Sequence, residues 1–187
     1  MVIPNEYRFT QRMAGIWNEN KDAFLSQTEP RQGQEEAYKA LTELAEGNRR
    51  MVILLGESRS GKSWLGSGYI NDRLKKQYGE DKDKLATYMT FFDLELALRS
   101  AQTLGTMDKL FYKLVGYPEL FIDELGRGKW SDFTSTFFTN LLIRRYGEKK
   151  PTLVATNLSG SELKGMLDLA ILERLKEQGA VVLVKKI

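Results

Sequence analysis

Gly56-Glu57-Ser58-Arg59-Ser60-Gly61-Lys62-Ser63 follows directly on the apolar run Met51-Val52-Ile53-Leu54-Leu55. The octapeptide is a complete G-x-x-x-x-G-K-S phosphate loop, placed where the chemistry needs it, between a strand signal and a helix signal. Two glycines let the backbone wrap closely, so that its N–H groups can point at phosphate oxygens. Lys62 is expected to reach the β- and γ-phosphates, and Ser63 to offer a hydroxyl to Mg²⁺. Gly56, Glu57, Ser58, Arg59, Ser60, Gly61, Lys62, Ser63 and Trp64 are therefore the expected nucleotide-binding residues.

Outward from this loop, the chain alternates strand and helix patterns. Helix is expected from the loop to about Tyr78, strand over 85–91, and helical pieces over 93–102 and 107–115. A third strand is expected at Leu120-Phe121-Ile122, a helix over 133–146, and a fourth strand over 152–156 after Pro151. The capping signature Ser159-Gly160-Ser161-Glu162 opens a helix expected to run to about Gln178, and Ala180–Val184 closes as a fifth strand. Before the loop, 34–46 reads as an amphipathic helix, and a less regular helix is expected over 11–24. Five strands with helical crossovers make an α/β fold with a mainly parallel five-stranded sheet flanked by helices. In such sheets ligands bind beyond the carboxyl ends of the strands. Tyr88, Phe91 and Phe92 fall in or beside a strand and are expected in the core.

Composition narrows the chemistry. The 187 residues contain no Cys and no His, which excludes Cys/His zinc sites, thiol nucleophiles and Ser-His triads. Carboxylates, Lys, Arg, hydroxyls and an oxygen-held metal remain, and phosphoryl transfer can run on these. Residues 1–50 hold 7 basic and 8 acidic side chains, leaving 21 of the 28 basic and 17 of the 25 acidic ones to residues 51–187. That mild surplus permits contact with a polyanion without requiring it. The amino terminus lacks a signal pattern and no apolar stretch approaches the ~20 residues of a membrane span, so a cytoplasmic protein with no membrane partner is expected.

A second signal is Asp123-Glu124 at the end of the third strand. Asp123 is expected to hold Mg²⁺, directly or through water, and Glu124 to orient and deprotonate an attacking water. A third is Asn157, just past the fourth strand, which would stand beside the γ-phosphate if that strand lies between the two motif-bearing strands. On a continuous helix Arg174 falls about 20° from Leu163, on the apolar face. It would then either snorkel from the stripe's edge or reach another chain.

From residue 34 onward the chain resembles the DnaC/IstB-like helicase-loader family of AAA+ ATPases. The resemblance rests on the Walker A loop 56–63, the run Phe121-Ile122-Asp123-Glu124-Leu125-Gly126, Arg144-Arg145-Tyr146 ahead of Pro151, the turn Thr156-Asn157-Leu158-Ser159, and Ile171-Leu172-Glu173-Arg174-Leu175. It implies an AAA+ type P-loop core over 48–187, an amino-terminal extension over 1–47 for partner or subunit contact, and ATP, ADP and Mg²⁺ as ligands. It further implies catalytic roles for Lys62, Glu124, Asn157 as sensor 1 and Arg174 as an arginine finger, within a homo-oligomeric ring or helical filament. The partners implied are DNA, single-stranded by preference, and a replicative helicase or another replication or transposition protein. Arg99, Lys109, Lys113, Arg127 and Lys129 are the expected DNA contacts, with Arg144, Arg145, Lys149 and Lys150 as further basic candidates; adenine is expected near 32–36. The chain departs from the family in showing no helical lid or sensor 2 arginine after the fifth strand and a short region ahead of the first. A transposition helper, a small-molecule phosphotransferase and a non-hydrolysing ATP-binding module stay open as alternatives.

Overall fold

The computed structural model describes residues 5–16, 18–77, 85–127 and 130–186. Its centre is a five-stranded parallel sheet of β1 (Met51–Leu55), β2 (Thr87–Thr90), β3 (Leu120–Leu125), β4 (Thr152–Thr156) and β5 (Gly179–Leu183), ordered β2-β3-β4-β1-β5. Because side chains alternate across a strand, the sheet seeds two cores. Val52, Leu54, Phe121, Leu153 and Val182 face α1 (Asn5–Met13), α2 (Glu35–Ala45) and α3 (Lys62–Lys76). Met51, Ile53, Leu120, Ile122 and Val154 face the other layer: α4 (Phe91–Leu104), α5 (Met107–Gly116), α6 (Asp132–Gly147), α7 (Gly160–Met166) and α8 (Leu169–Gln178). Each fully buried large apolar side chain in these cores contributes about 1.5–3 kcal/mol of transfer free energy.

The α3 helix lies close on the sheet because position 66 carries no side chain. A Cβ on Gly66 would stand 2.2 Å from the Phe121 ring. Tyr7, Ala14, Ile16 and Phe24 from the amino-terminal segment join the same core.

Several boundaries differ from the sequence reading, each for a local reason. Strand β2 stops at Thr90, because the Thr90 hydroxyl and the Asp93 carboxylate form a reciprocal capping box that starts α4 at Phe91. Phe91 is fully buried and Tyr88 packs edge-on against Phe121, but Phe92, expected in the core, is 56% exposed on the outer face of α4. The helix expected over 11–24 is instead α1, ending at Met13, followed by a left-handed Gly15 (φ 86°) and two single 3₁₀ turns, Asn18–Asn20 and Leu25–Gln27.

The helix expected from Ser159 to Gln178 is two helices. Leu167 and Asp168 adopt extended backbone, and the Asp168 carboxylate accepts the Ala170 N–H at 2.8 Å, capping α8 afresh. The 20° relation between Leu163 and Arg174 therefore does not hold. Among the described residues no helix is long and apolar enough to cross a membrane.

Candidate nucleotide site

The phosphate loop leaves the carboxyl end of β1 and closes on the first turn of α3, whose free N–H groups and dipole favour an anion. Gly61 caps this helix at φ 98°, in the left-handed region, and a Cβ there would lie 2.7 Å from Gln34 Nε2. That same amide donates to the Ser60 carbonyl at 3.1 Å, so the segment expected beside adenine braces the loop.

Lys62 is buried. Its Nζ donates to the Gly56 and Glu57 carbonyls, both at 2.8 Å, and to Ser60 Oγ at 3.3 Å. Burial holds its pKa below the ordinary lysine value, with the Asp123 charge working in the opposite sense. Gly56, Glu57 and Ser60 thus cradle the ammonium, while Ser58, Arg59, Gly61, Lys62, Ser63 and Trp64 line a cleft of about 250 Å³.

Asp123, Glu124, Thr156 and Asn157 line the same cleft. Strand β4 lies between β1 and β3, the condition under which Asn157 was expected beside the loop. Asp123 is 2% exposed. Its carboxylate accepts the Glu124 N–H at 2.8 Å and the Tyr88 hydroxyl at 3.3 Å. Burial raises its pKa above the usual carboxylate value, and the neighbouring Ser63 hydroxyl offsets part of that rise.

Glu124 sits on a bulge. Ile122 pairs with Val154 and Leu125 with Thr156, so β3 spends one residue more than β4 between those pairs, and Glu124 has φ 58°. The extra residue re-aims Glu124 into the cleft beside Asp123, where unbroken alternation would have sent it to the opposite face. Its carboxylate is paired with Arg127.

The residues fit a magnesium ion. A buried carboxylate beside a hydroxyl, at the foot of a phosphate loop, matches an ion held by one or two carboxylates together with substrate phosphates and water. Among the described residues no group of three or more carboxylates could hold a metal alone. Ser63 and Asp123 are the residues that would hold it.

Arg174 lies outside this cleft. Its guanidinium donates to the Ala170 carbonyl at 2.8 Å and stands 5.7 Å from the Tyr146 ring, which Arg50 covers at 5.1 Å. Arg50 precedes β1, so this cluster marks the opposite end of the sheet from the loop. Arg99, Lys109, Lys113 and Arg127 are exposed, while Lys129 lies outside the described residues.

Arg145 is not available to DNA. It is fully buried, donating to Thr152 Oγ1 and to the carbonyls of Leu114, Val115, Tyr117 and Pro151. Lys150 is also drawn inward, onto the Val115 and Gly116 carbonyls. Glu19 and Asn20 line the cleft without any sequence signal, because a single 3₁₀ turn has no periodicity to read.

No protein-family model matches the chain, and no curated protein matches it either. Solved structures do. The DnaC helicase loader superposes with a TM-score of 0.74 at 18% identity, covering 90% of this chain and 100% of that one. DnaI gives 0.71 at 22%, covering 90% and 94%. The replication initiator DnaA bound to AMPPCP and single-stranded DNA gives 0.74 at 19%, covering 90% of this chain and 51% of that one. The fold is the one that these three structures share. The chain spans about half the length of the DnaA-type chains it matches.

Proposed function

We propose that this protein binds and hydrolyses ATP as an oligomeric switch in DNA replication, of the helicase-loader kind. One observation carries the reading: loop, buried Asp123, bulged Glu124 and Asn157 converge on a single cleft at the carboxyl ends of β1, β3 and β4. In this reading the loop N–H groups and Lys62 hold the phosphates once Lys62 releases the Gly56 and Glu57 carbonyls. Glu124, freed from Arg127, takes a proton from the attacking water, and Asn157 fixes that water's position. A bound Mg²⁺ ion would supply charge neutralisation to the phosphates from Ser63 and Asp123. Arg174 faces away from its own cleft, so it would serve the site of a neighbouring subunit, where a guanidinium can stabilise phosphoryl charge.

The exposed Arg99, Lys109 and Lys113, with Arg127, are the proposed contacts to single-stranded DNA, and the proposed partner is a replicative helicase. A DNA-bound transposition helper shares every one of these features and differs in the partner captured. Phosphate release from ATP is the test, measured across protein concentrations with and without single-stranded DNA. A specific rate that rises with both, and collapses in Arg174→Ala and Glu124→Gln, is expected. A rate independent of concentration and untouched by Arg174→Ala would remove the shared-site reading.

A further inference from the structure

The amino-terminal segment contributes a wall to the nucleotide cleft. Glu19 and Asn20, on the turn Asn18–Asn20, line it together with Lys62, Ser63 and Asp123. The Asn20 side-chain amide makes no hydrogen bond among the described residues, which leaves its N–H donors for an anionic ligand.

The turn is held by a buried polar knot centred on Asn71, a fully buried residue of α3. Its amide nitrogen donates to the Asn20 carbonyl at 3.1 Å and the Ala23 carbonyl at 2.7 Å. Its amide oxygen accepts from Gln11 Nε2 at 2.7 Å, and that nitrogen also donates to the Lys21 carbonyl at 2.7 Å. Helix α3 begins at Lys62, so one rigid element carries the phosphate loop at its start and grips the turn about 13 Å further along its axis.

A second tie runs through Tyr88. Its N–H donates to the Ala14 carbonyl at 2.7 Å, and its hydroxyl donates to the Asp123 carboxylate. The segment is thus anchored both to the helix that opens the loop and to the strand residue that holds the metal-side aspartate.

We infer that the segment around Asn18–Asn20 binds the phosphate end of the nucleoside triphosphate, with Asn20 as a contact and Asn71 as its positioning residue. The inference rests on the ATP-binding reading above. It follows by linkage that nucleotide and docking of this segment stabilise each other to the same extent.

The experiment is amide hydrogen exchange across residues 14–23 of the full chain, with and without magnesium and a non-hydrolysable ATP analogue, alongside binding of the same analogue. Wild type should show slowed exchange in this segment when the analogue is bound. Asn20→Ala should bind about 3- to 10-fold more weakly, the loss of one hydrogen bond, at an unchanged melting temperature. Asn71→Asp should speed exchange of 14–23 even without nucleotide. Binding by wild type with no protection of 14–23, together with undiminished affinity in Asn20→Ala, overturns the inference alone. Failure of wild type to bind, matched by Lys62→Ala, overturns the ATP reading and the inference with it.

Discussion

The Glu124 carboxylate and the Arg127 guanidinium are ion-paired across three residues, just where the β3 bulge turns Glu124 towards the phosphate loop. The side chain of Arg127 is 73% exposed, so the pair is a solvent-screened one worth at most about 1 kcal/mol. Freeing Glu124 therefore costs little. Arg127→Ala is expected to raise DNA-independent phosphate release, by up to about fivefold, since 1.4 kcal/mol corresponds to tenfold. Glu124→Gln should bind nucleotide normally and hydrolyse at a rate lowered at least about 100-fold, the contribution of a general base. Steady-state release and equilibrium binding measured on the two variants separate these effects.

Asp123 carries a cost that its site imposes. Burial raises its pKa, so the folded protein binds this proton more tightly than the unfolded chain does, and the ionised carboxylate destabilises the fold above that raised pKa. The penalty is relieved as pH falls through it. Asp123→Asn should therefore melt higher than wild type at pH 8 in the absence of nucleotide. The gap should close on acidification, while magnesium-dependent nucleotide binding is lost at every pH. Thermal melts across pH, with and without nucleotide, check both halves.

Arg145 acts as a staple between the end of α5 and the start of β4. Its three nitrogens satisfy four carbonyls and the Thr152 hydroxyl, and burial lowers its pKa to about 10. Arg145→Met strands those acceptors away from water and is expected to cost at least about 3 kcal/mol of unfolding free energy. Arg145→Lys should recover little, because an ammonium cannot reproduce the planar fork. The urea midpoint of each variant decides the matter.

Among the described residues Arg174 makes a carbonyl hydrogen bond to its own helix and a cation–π contact with Tyr146. Its removal should cost the fold no more than about 1 kcal/mol. Phosphate release, by contrast, should drop by at least about 100-fold if the guanidinium serves a neighbour's site. Mixing Arg174→Ala with Glu124→Gln subunits should then restore activity at the sites that combine an intact Glu124 with an intact Arg174.

The phosphate loop, the strand before it, the paired carboxylates near the end of β3 and the capped turn after β4 are all legible in the sequence, because each is a local pattern. Apolar runs, turn glycines and capping residues act over a few bonds, and β4 was bounded to the residue by Pro151 and Asn157. Local reasoning failed where two short-range signals competed, as when the Asp168 cap broke a run of helical periodicity in two. The tertiary structure alone decided the rest. It placed β4 between β1 and β3, buried Arg145 against the carbonyls of Leu114, Val115, Tyr117 and Pro151, put Glu124 on a bulge within its strand and set Asn20 in the wall of the loop's cleft. These outcomes depend on pairings between residues tens of positions apart, which are fixed only when two cores close on one sheet.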